Sequence, residues 1–286
     1  MLKEARNALL FVFKVSRFRF WIYTAGTYVV GFALGANSLS SFFMPEYFIF
    51  LIYFFIPANI FLYGINDYWD ADTDLKNPKK GEREYRIIEN DRRRLRNILL
   101  FMTALSLFLF IFIDLISKVI LTCFLFLSYF YSAKPLRFKA IPGLDSLSNV
   151  LYLVPGIFGY YLAAGELPPI LIVAAGVLHT TAMHLFSAIP DIECDSLAKI
   201  RTSAVELGRE KALIVCLSLW AGLALLVVLL TKFHPLSFLV FLYPAIPFLL
   251  IVRKSSSIER LYWYLPYINT ALGGLLFVGL VMRLIS

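Results

Sequence analysis

Apolar runs close to twenty residues long follow one another almost without interruption along this chain, and that pattern constrains its fold more than any other feature. A helix needs about 20 predominantly apolar residues to cross the hydrocarbon core of a bilayer. Inside that core only helices and closed barrels satisfy every backbone polar group, and runs of this length fit helices. We read spans near 13–36, 47–66, 96–114, 118–133, 146–164, 168–189, 211–231, 236–252 and 261–282. With 60% of its 286 residues hydrophobic and 16% charged, the chain could not cover its apolar surface as a soluble domain. The expectation is an all-α protein of about nine transmembrane helices, a single polytopic domain over 1–286 set in the lipid bilayer.

The formal charge of +8 invites a nucleic-acid reading, and the placement of the charge decides against it. With the N-terminus cytoplasmic, the inside segments hold 24 of the 27 Lys and Arg residues; Lys118, Lys232 and Arg283 are the exceptions. Cytoplasmic loops of membrane proteins are enriched in Lys and Arg in this way, so the excess is topology and no nucleic-acid partner is expected. The basic N-terminal stretch leads into an apolar run that continues past Gly35 without a cleavage site of small residues. It reads as a retained first helix in a cell-membrane protein. Cys123, Cys194 and Cys216 are scattered and form neither a disulfide framework nor a CxxC pattern.

Two inside segments, near 67–95 and 190–210, gather 13 of the 19 acidic residues together with many basic ones. Each begins at the end of an apolar span with an acidic cluster. The first reads Asn66-Asp67-Tyr68-Trp69-Asp70-Ala71-Asp72-Thr73-Asp74, the second Asp191-Ile192-Glu193-Cys194-Asp195. The recurrence is a weak internal echo, consistent with two four-helix halves plus a ninth helix.

If the preceding helix runs on through the first cluster, Asn66, Asp70 and Asp74 share one stripe with Asp67 beside it. Asp191 and Asp195 stand in the same relation on their own helix. Crowded carboxylates repel unless cations neutralise them. Carboxylate oxygen suits Mg2+, which commonly binds through one or two carboxylates, retained waters and substrate phosphates. Asp67, Asp70, Asp74, Asp191 and Asp195 are therefore the candidate catalytic residues, and all but Asp67 are candidate metal ligands. A solvated mixed-charge loop explains one such cluster; it does not explain two on one membrane face, each trailed by basic residues. Candidates to bind a diphosphate are Asn66, Lys80, Arg83, Tyr131, Lys134, Arg137, Lys199 and Arg201, since Lys and Arg hold phosphate by charge-assisted hydrogen bonds. His184, seven residues before Asp191, reads as a packed core residue, and Ser187 as a cavity-lining one.

At these motifs the chain resembles the UbiA superfamily of intramembrane prenyltransferases. Asn66, Asp67, Asp70 and Asp74 match the family's NDxxDxxxD-like first motif, and Asp191 with Asp195 its DxxxD second motif. Ala198-Lys199-Ile200-Arg201-Thr202, then Leu207-Gly208, is similar to its AGKRT-like continuation. Tyr131-Ser132-Ala133-Lys134-Pro135-Leu136-Arg137 is similar to its tyrosine-plus-basic element, and Ser16-Arg17-Phe18-Arg19-Phe20-Trp21 to the start of its first helix. Two departures stand out. Pro135 occupies the place of the family's lysine, leaving Lys134 and Arg137 as alternatives, and Asn77-Pro78-Lys79-Lys80-Gly81-Glu82-Arg83 stands for the NKPxRP-like tail. The wording around the motifs is most similar to the lycopene elongase branch.

The resemblance implies nine helices around a central cavity, with both acidic motifs holding Mg2+, two ions, and a prenyl diphosphate under cytoplasmic cap loops. It implies prenyl transfer to a lipophilic acceptor such as the carotenoid lycopene, with an aromatic quinone precursor or a glycerol phosphate lipid as alternatives. Tyr131, Tyr68 and Trp69 are candidates to stabilise an allylic cation by cation–π attraction. A membrane cation transporter is the alternative of another class; it predicts carboxylates near the bilayer midplane and away from basic residues, and here they sit among cations.

Overall fold

The computed structural model describes residues 2–74, 87, 89–253 and 257–285, the side chains of 2–5, 7–8, 72–74 and 89–90 excepted. The described residues form helices and turns, with no β-strand among them. Eight of these helical stretches are long and apolar enough to cross a membrane: Pro45–Ala71, Asp91–Phe112, Leu115–Ser132, Leu144–Ala164, Ile170–Leu197, Ser203–Leu230, Pro235–Val252 and Ile258–Ile285. Large apolar side chains stand on the outside, Phe43, Ile170 and Leu115 each more than 70% exposed, as lipid-facing residues do.

The first expected span, 13–36, departs from a single helix. Helix Leu2–Val15 ends before Arg17, whose left-handed backbone (φ 50°, ψ 65°) breaks the hydrogen-bond ladder. A 3-10 turn, Phe18–Phe20, and a π-helical turn, Ile22–Gly26, follow before helix Thr27–Gly35. The apolar run was legible; the break was not.

By its internal contacts the chain divides into two compact units. One comprises Met1–Arg137, Val154–Glu166 and Leu280–Ser286; the other comprises Phe138–Leu153 and Leu167–Gly279. The division differs from the two consecutive halves that the acidic echo predicts, because Val154–Glu166 packs with the first unit.

In the first unit, Pro57 divides the second span into helices Pro45–Phe55 and Pro57–Asp74. Proline brings no N–H to the ladder, and carbonyls freed inside a membrane must find donors. Asn59 supplies them: its Nδ2 donates to Phe54 O at 2.9 Å and Phe55 O at 3.0 Å. The same amide donates to Thr24 Oγ1 at 2.7 Å, and Thr24 donates to Phe54 O at 2.7 Å. The elbow is thereby closed with buried polar groups. Elsewhere in the unit, helix Thr27–Gly35 lies against helix Val154–Ala164 at backbone contact. A Cβ on Gly31 would meet Gly156 O at 2.0 Å, and one on Gly159 would meet Tyr28 O at 2.4 Å.

Asp114 starts helix Leu115–Ser132, between two spans of the same unit. Its carboxylate accepts from Ile116 N (2.8 Å), Ser117 N (3.1 Å), Ser117 Oγ (2.7 Å) and Tyr161 Oη (3.1 Å). Slight burial pushes the carboxyl up, but the Ser117, Tyr161 and Ile116 donors outweigh it and hold it below the usual carboxylate range. A depressed pKa adds stability that is complete above the unfolded value near 3.9 and is lost as pH falls through the folded one. Asp114→Ala is expected to cost about 1 kcal/mol at pH 7, the usual worth of an N-cap. The difference from wild type should shrink below about pH 3.9. Thermal denaturation of both proteins between pH 3 and 7 checks this; an equal gap throughout would refute it.

The second unit packs around Trp220, fully buried between Phe186 and Tyr243, with the Trp220 and Tyr243 rings stacked at 5.7 Å. The Tyr243 hydroxyl meets its polar need by bonding Asn269 Oδ1 at 2.7 Å. Helix Ser203–Leu230 kinks at Gly208 (φ 69°, ψ 168°), a conformation that only glycine takes readily. Pro190 ends helix Ile170–Ala188, and a 3-10 turn over Ile189–Asp191 leads into the short helix Ile192–Leu197. His184 and Asp191, seven residues apart, therefore stand on either side of a change of helix.

Candidate active site

The first acidic motif lies within a continuous helix, as its spacing predicts. Pro57–Asp74 runs unbroken through Asn66, Asp67 and Asp70, and no proline or glycine stands between Ile65 and Asp74 to stop it. The acids occupy the last turns, where the helix macrodipole disfavours negative charge, and no basic residue shares those turns. Such a conflict between local preference and sequence marks functional sites. Compensation comes from elsewhere in the same unit.

Asp70, 6% exposed, accepts from Ser132 Oγ at 2.8 Å, and Arg137 Nη2 stands 3.6 Å from its other oxygen. Ser132 also lies 3.2 Å from Asn66 Oδ1. Asn66, Asp70, Ser132 and Arg137 thus form one cluster, joining the first motif to the tyrosine-plus-basic element. Of the two alternatives at that element, Arg137 reaches the motif and Lys134 is exposed. Tyr131 is half-buried beside Ser132.

Asp67, 1% exposed, is held by Arg17 at 2.7 Å, and the Arg17 guanidinium lies 4.9 Å above the Tyr63 ring. The left-handed residue Arg17 thus has its side chain tied to Asp67 and Tyr63. The side chain of Asp74 and the residues Lys80 and Arg83 lie outside the described residues.

The second motif is built differently. Asp191 sits at the N-cap position of Ile192–Leu197 (φ −98°, ψ 1°), and Glu193 and Asp195 occupy its first turn, where the macrodipole favours acids. Asp191 and Asp195 are both half-buried. Three backbone bonds close the helix: Ala198 N to Cys194 O (2.9 Å), Lys199 N to Ser196 O (3.0 Å) and Ile200 N to Asp195 O (2.9 Å). Lys199 is exposed and left-handed, with φ 58°. Arg201 is exposed and turned to Glu206 at 2.7 Å, an ion pair that solvent screens.

Sequence reasoning left Arg17, Ser132 and Asp145 without roles. Arg17 and Ser132 stood inside quoted segments, yet nothing in the sequence tells which acid each meets. Asp145 is fully buried and accepts from Ser203, while His184 lies within its electrostatic reach. Its only sequence signal is a lone aspartate at the edge of the apolar span read near 146–164. Among the described residues no group of three or more His, Cys, Asp or Glu side chains comes together to enclose a metal. The donors in both motifs are hard oxygens, and one or two carboxylates fit an ion that takes its remaining ligands from water and phosphate.

Comparison with known proteins identifies the family. Residues 24–279 match the family described as the UbiA prenyltransferase family. The chain is 41% identical over 282 residues to a lycopene elongase/hydratase of Haloferax volcanii, covering 98% of this chain and 91% of the relative. It is 40% identical over 272 residues to a lycopene elongase/hydratase of Halobacterium salinarum, covering 94% and 96%. The fold is similar to that of a UbiA homologue from Archaeoglobus fulgidus, solved bound to DMAPP and Mg2+. That match has a TM-score of 0.73 and 22% identity, and covers 95% of this chain and 99% of that one. This chain belongs to the UbiA prenyltransferase family and is a multi-pass membrane prenyltransferase.

Proposed function

We propose that the protein transfers a prenyl group from a prenyl diphosphate to a carotenoid such as lycopene, with Mg2+, from the cytoplasmic face of the cell membrane. The single observation that carries the acceptor is the near-full-length identity of about 40% to two lycopene elongase/hydratases. The placement of 24 of 27 basic residues on one face supports the cytoplasmic orientation. Both acidic motifs supply hard oxygen donors, which supports Mg2+ held by Asp70, Asp74, Asp191 and Asp195 with the diphosphate. Bound there, the ions would offset charge gathering on the leaving diphosphate.

The chain's own residues do the rest of the work. Arg137 and Lys199, with Lys80, Arg83 and Arg201, bind diphosphate oxygens, and Ser132, by donating to it, orients the Asp70 carboxylate that would hold the ion. The bond between the prenyl C1 and the diphosphate oxygen breaks, and its electron pair leaves with the diphosphate. A fixed cationic environment lowers that barrier because it needs no reorganisation as charge develops. The π electrons of a terminal double bond of the acceptor then form the new carbon–carbon bond. The cation left on the acceptor is quenched by loss of a proton or by addition of water. Aromatic side chains at the motifs, Tyr131 and Tyr68 among them, can stabilise the allylic cation meanwhile.

The test incubates purified protein in lipid nanodiscs with labelled prenyl diphosphate and lycopene, an aromatic quinone precursor or a glycerol phosphate. Prenylated lycopene should form, and chelation of divalent cations should suppress it by at least about 10²-fold, the scale of a lost electrostatic stabiliser. Product with only an aromatic or glycerol phosphate acceptor would overturn the carotenoid reading. Undiminished turnover in chelator would overturn the metal.

A further inference from the structure

The second unit contains a buried carboxylate that neither acidic motif includes. Asp145, in the short helix Leu144–Leu147, is fully buried in an apolar span. A buried charge is costly unless hydrogen bonds satisfy it. Both of its oxygens are satisfied by one residue. The Ser203 backbone N–H donates to Oδ2 at 2.7 Å, and the Ser203 hydroxyl donates to Oδ1. Ser203 Oγ in turn accepts from Gly143 N at 2.7 Å, and Asn149 Nδ2 donates to the Asp145 carbonyl at 2.7 Å. The N–H of Ser203 is the first of helix Ser203–Leu230, where the macrodipole also favours an anion.

The place of the lock gives it a role. The segment between Asp195 and Ser203 carries Lys199 and Arg201. At its start, the closing turn of Ile192–Leu197 holds Lys199 in a left-handed conformation. A non-glycine residue stays there only where the surrounding structure over-determines it. At its end, Thr202 Oγ1 caps the next helix by accepting from Val205 N at 3.3 Å, and Asp145 fastens Ser203. Lys199 and Arg201 are exposed, and the Arg201–Glu206 ion pair is screened by solvent, so the two anchored ends do most to fix them.

We infer that Asp145 is a positioning residue for the prenyl diphosphate: by locking Ser203 it holds the 196–202 connection, and with it Lys199 and Arg201, in place behind the second acidic motif. The inference rests on the proposed role of that motif in binding diphosphate. Asp145 itself touches no reacting atom in this scheme.

Three variants test it. Ser203→Ala removes the hydroxyl but leaves the backbone bond, Asp145→Asn keeps the shape but presents a donor to donors, and Ser203→Thr keeps the hydroxyl. Ser203→Ala and Asp145→Asn should raise KM for the prenyl diphosphate about tenfold, as loss of one charge-assisted hydrogen bond does. The stranded carboxylate oxygen should lower the melting temperature of Ser203→Ala, but at a temperature where it is folded KM for the lipophilic acceptor should stay near wild type, and Ser203→Thr should restore the diphosphate KM. An unmoved diphosphate KM in both disruptive variants would overturn the inference. So would a parallel rise in both KM values, since that marks a merely structural residue. Wild-type protein that fails to use any prenyl diphosphate would instead sink the functional reading on which the inference stands.

Discussion

Asp70→Ala and Asp191→Ala are each expected to lower prenyl transfer by about 10²–10³-fold, the range seen when one transition-state stabiliser is removed. The two changes act on unlike surroundings. Asp70 is nearly buried between Ser132 and Arg137, so its removal strands a cation as well as subtracting a ligand. Loss of stability could then mimic loss of catalysis. Asp70→Asn separates the two, because the amide oxygen still accepts from Ser132 while the charge is gone. Assayed at a temperature where its melt shows it folded, it should still lose at least about 10²-fold in rate. Asp191 is half-buried at the N-cap position of Ile192–Leu197, so Asp191→Ala is likewise assayed at a temperature where its melt shows it folded. Rates are read from labelled product at saturating Mg2+, and folding from thermal melts. Wild-type rates in Asp70→Asn and Asp191→Ala would dismiss both motifs as the reaction centre.

The second large effect is on stability. Gly31→Ala would place a methyl 2.0 Å from Gly156 O, 2.6 Å from its carbonyl carbon and 2.7 Å from its Cα. All three are backbone atoms, so no rotamer change relieves the clash and the helices must part. Overpacking of this kind costs about 1–3 kcal/mol and occasionally more. Alanine's better helix propensity returns only about 1 kcal/mol, so the clash wins. Gly273→Ala is the control: a Cβ there meets nothing within 4 Å, and the propensity gain stands alone. Melting in detergent should fall for Gly31→Ala and hold or rise slightly for Gly273→Ala. Equal melting temperatures would show that the contact yields without cost.

The membrane class and the first motif were legible because they rest on periodicities that local sequence controls. Apolar run length gave the spans, and a four-residue repeat of acids put Asn66 and Asp70 on one helix stripe. What the sequence did not carry were choices made by tertiary contact. Gly31-x-x-x-Gly35 has the spacing of a close helix contact, but the pattern does not name its partner on Val154–Ala164. Arg17 lies in an apolar run, and its pairing with Asp67 across the fold is not visible in the sequence. The preference for Arg137 over Lys134 likewise needs the fold of the chain after Ser132. Pro190 was visible, yet its effect on the phase of Asp191 depended on whether the helix bent or restarted.

The elbow at Pro57 has a bearing on how enzymes of this kind are searched for chemistry. At 1.5 Å rise per residue, Asp70 stands roughly 20 Å along the helix from that proline. With the carboxylate at the aqueous boundary, Asn59 and Thr24 fall in the oily interior, where an unmatched amide is most expensive. These are the polar groups that a screen for charged or amide side chains at depth would rank first, and their hydrogen bonds are consumed in mending a broken ladder. Depth of a polar side chain in such a protein reports a repair to the main chain as readily as a reagent.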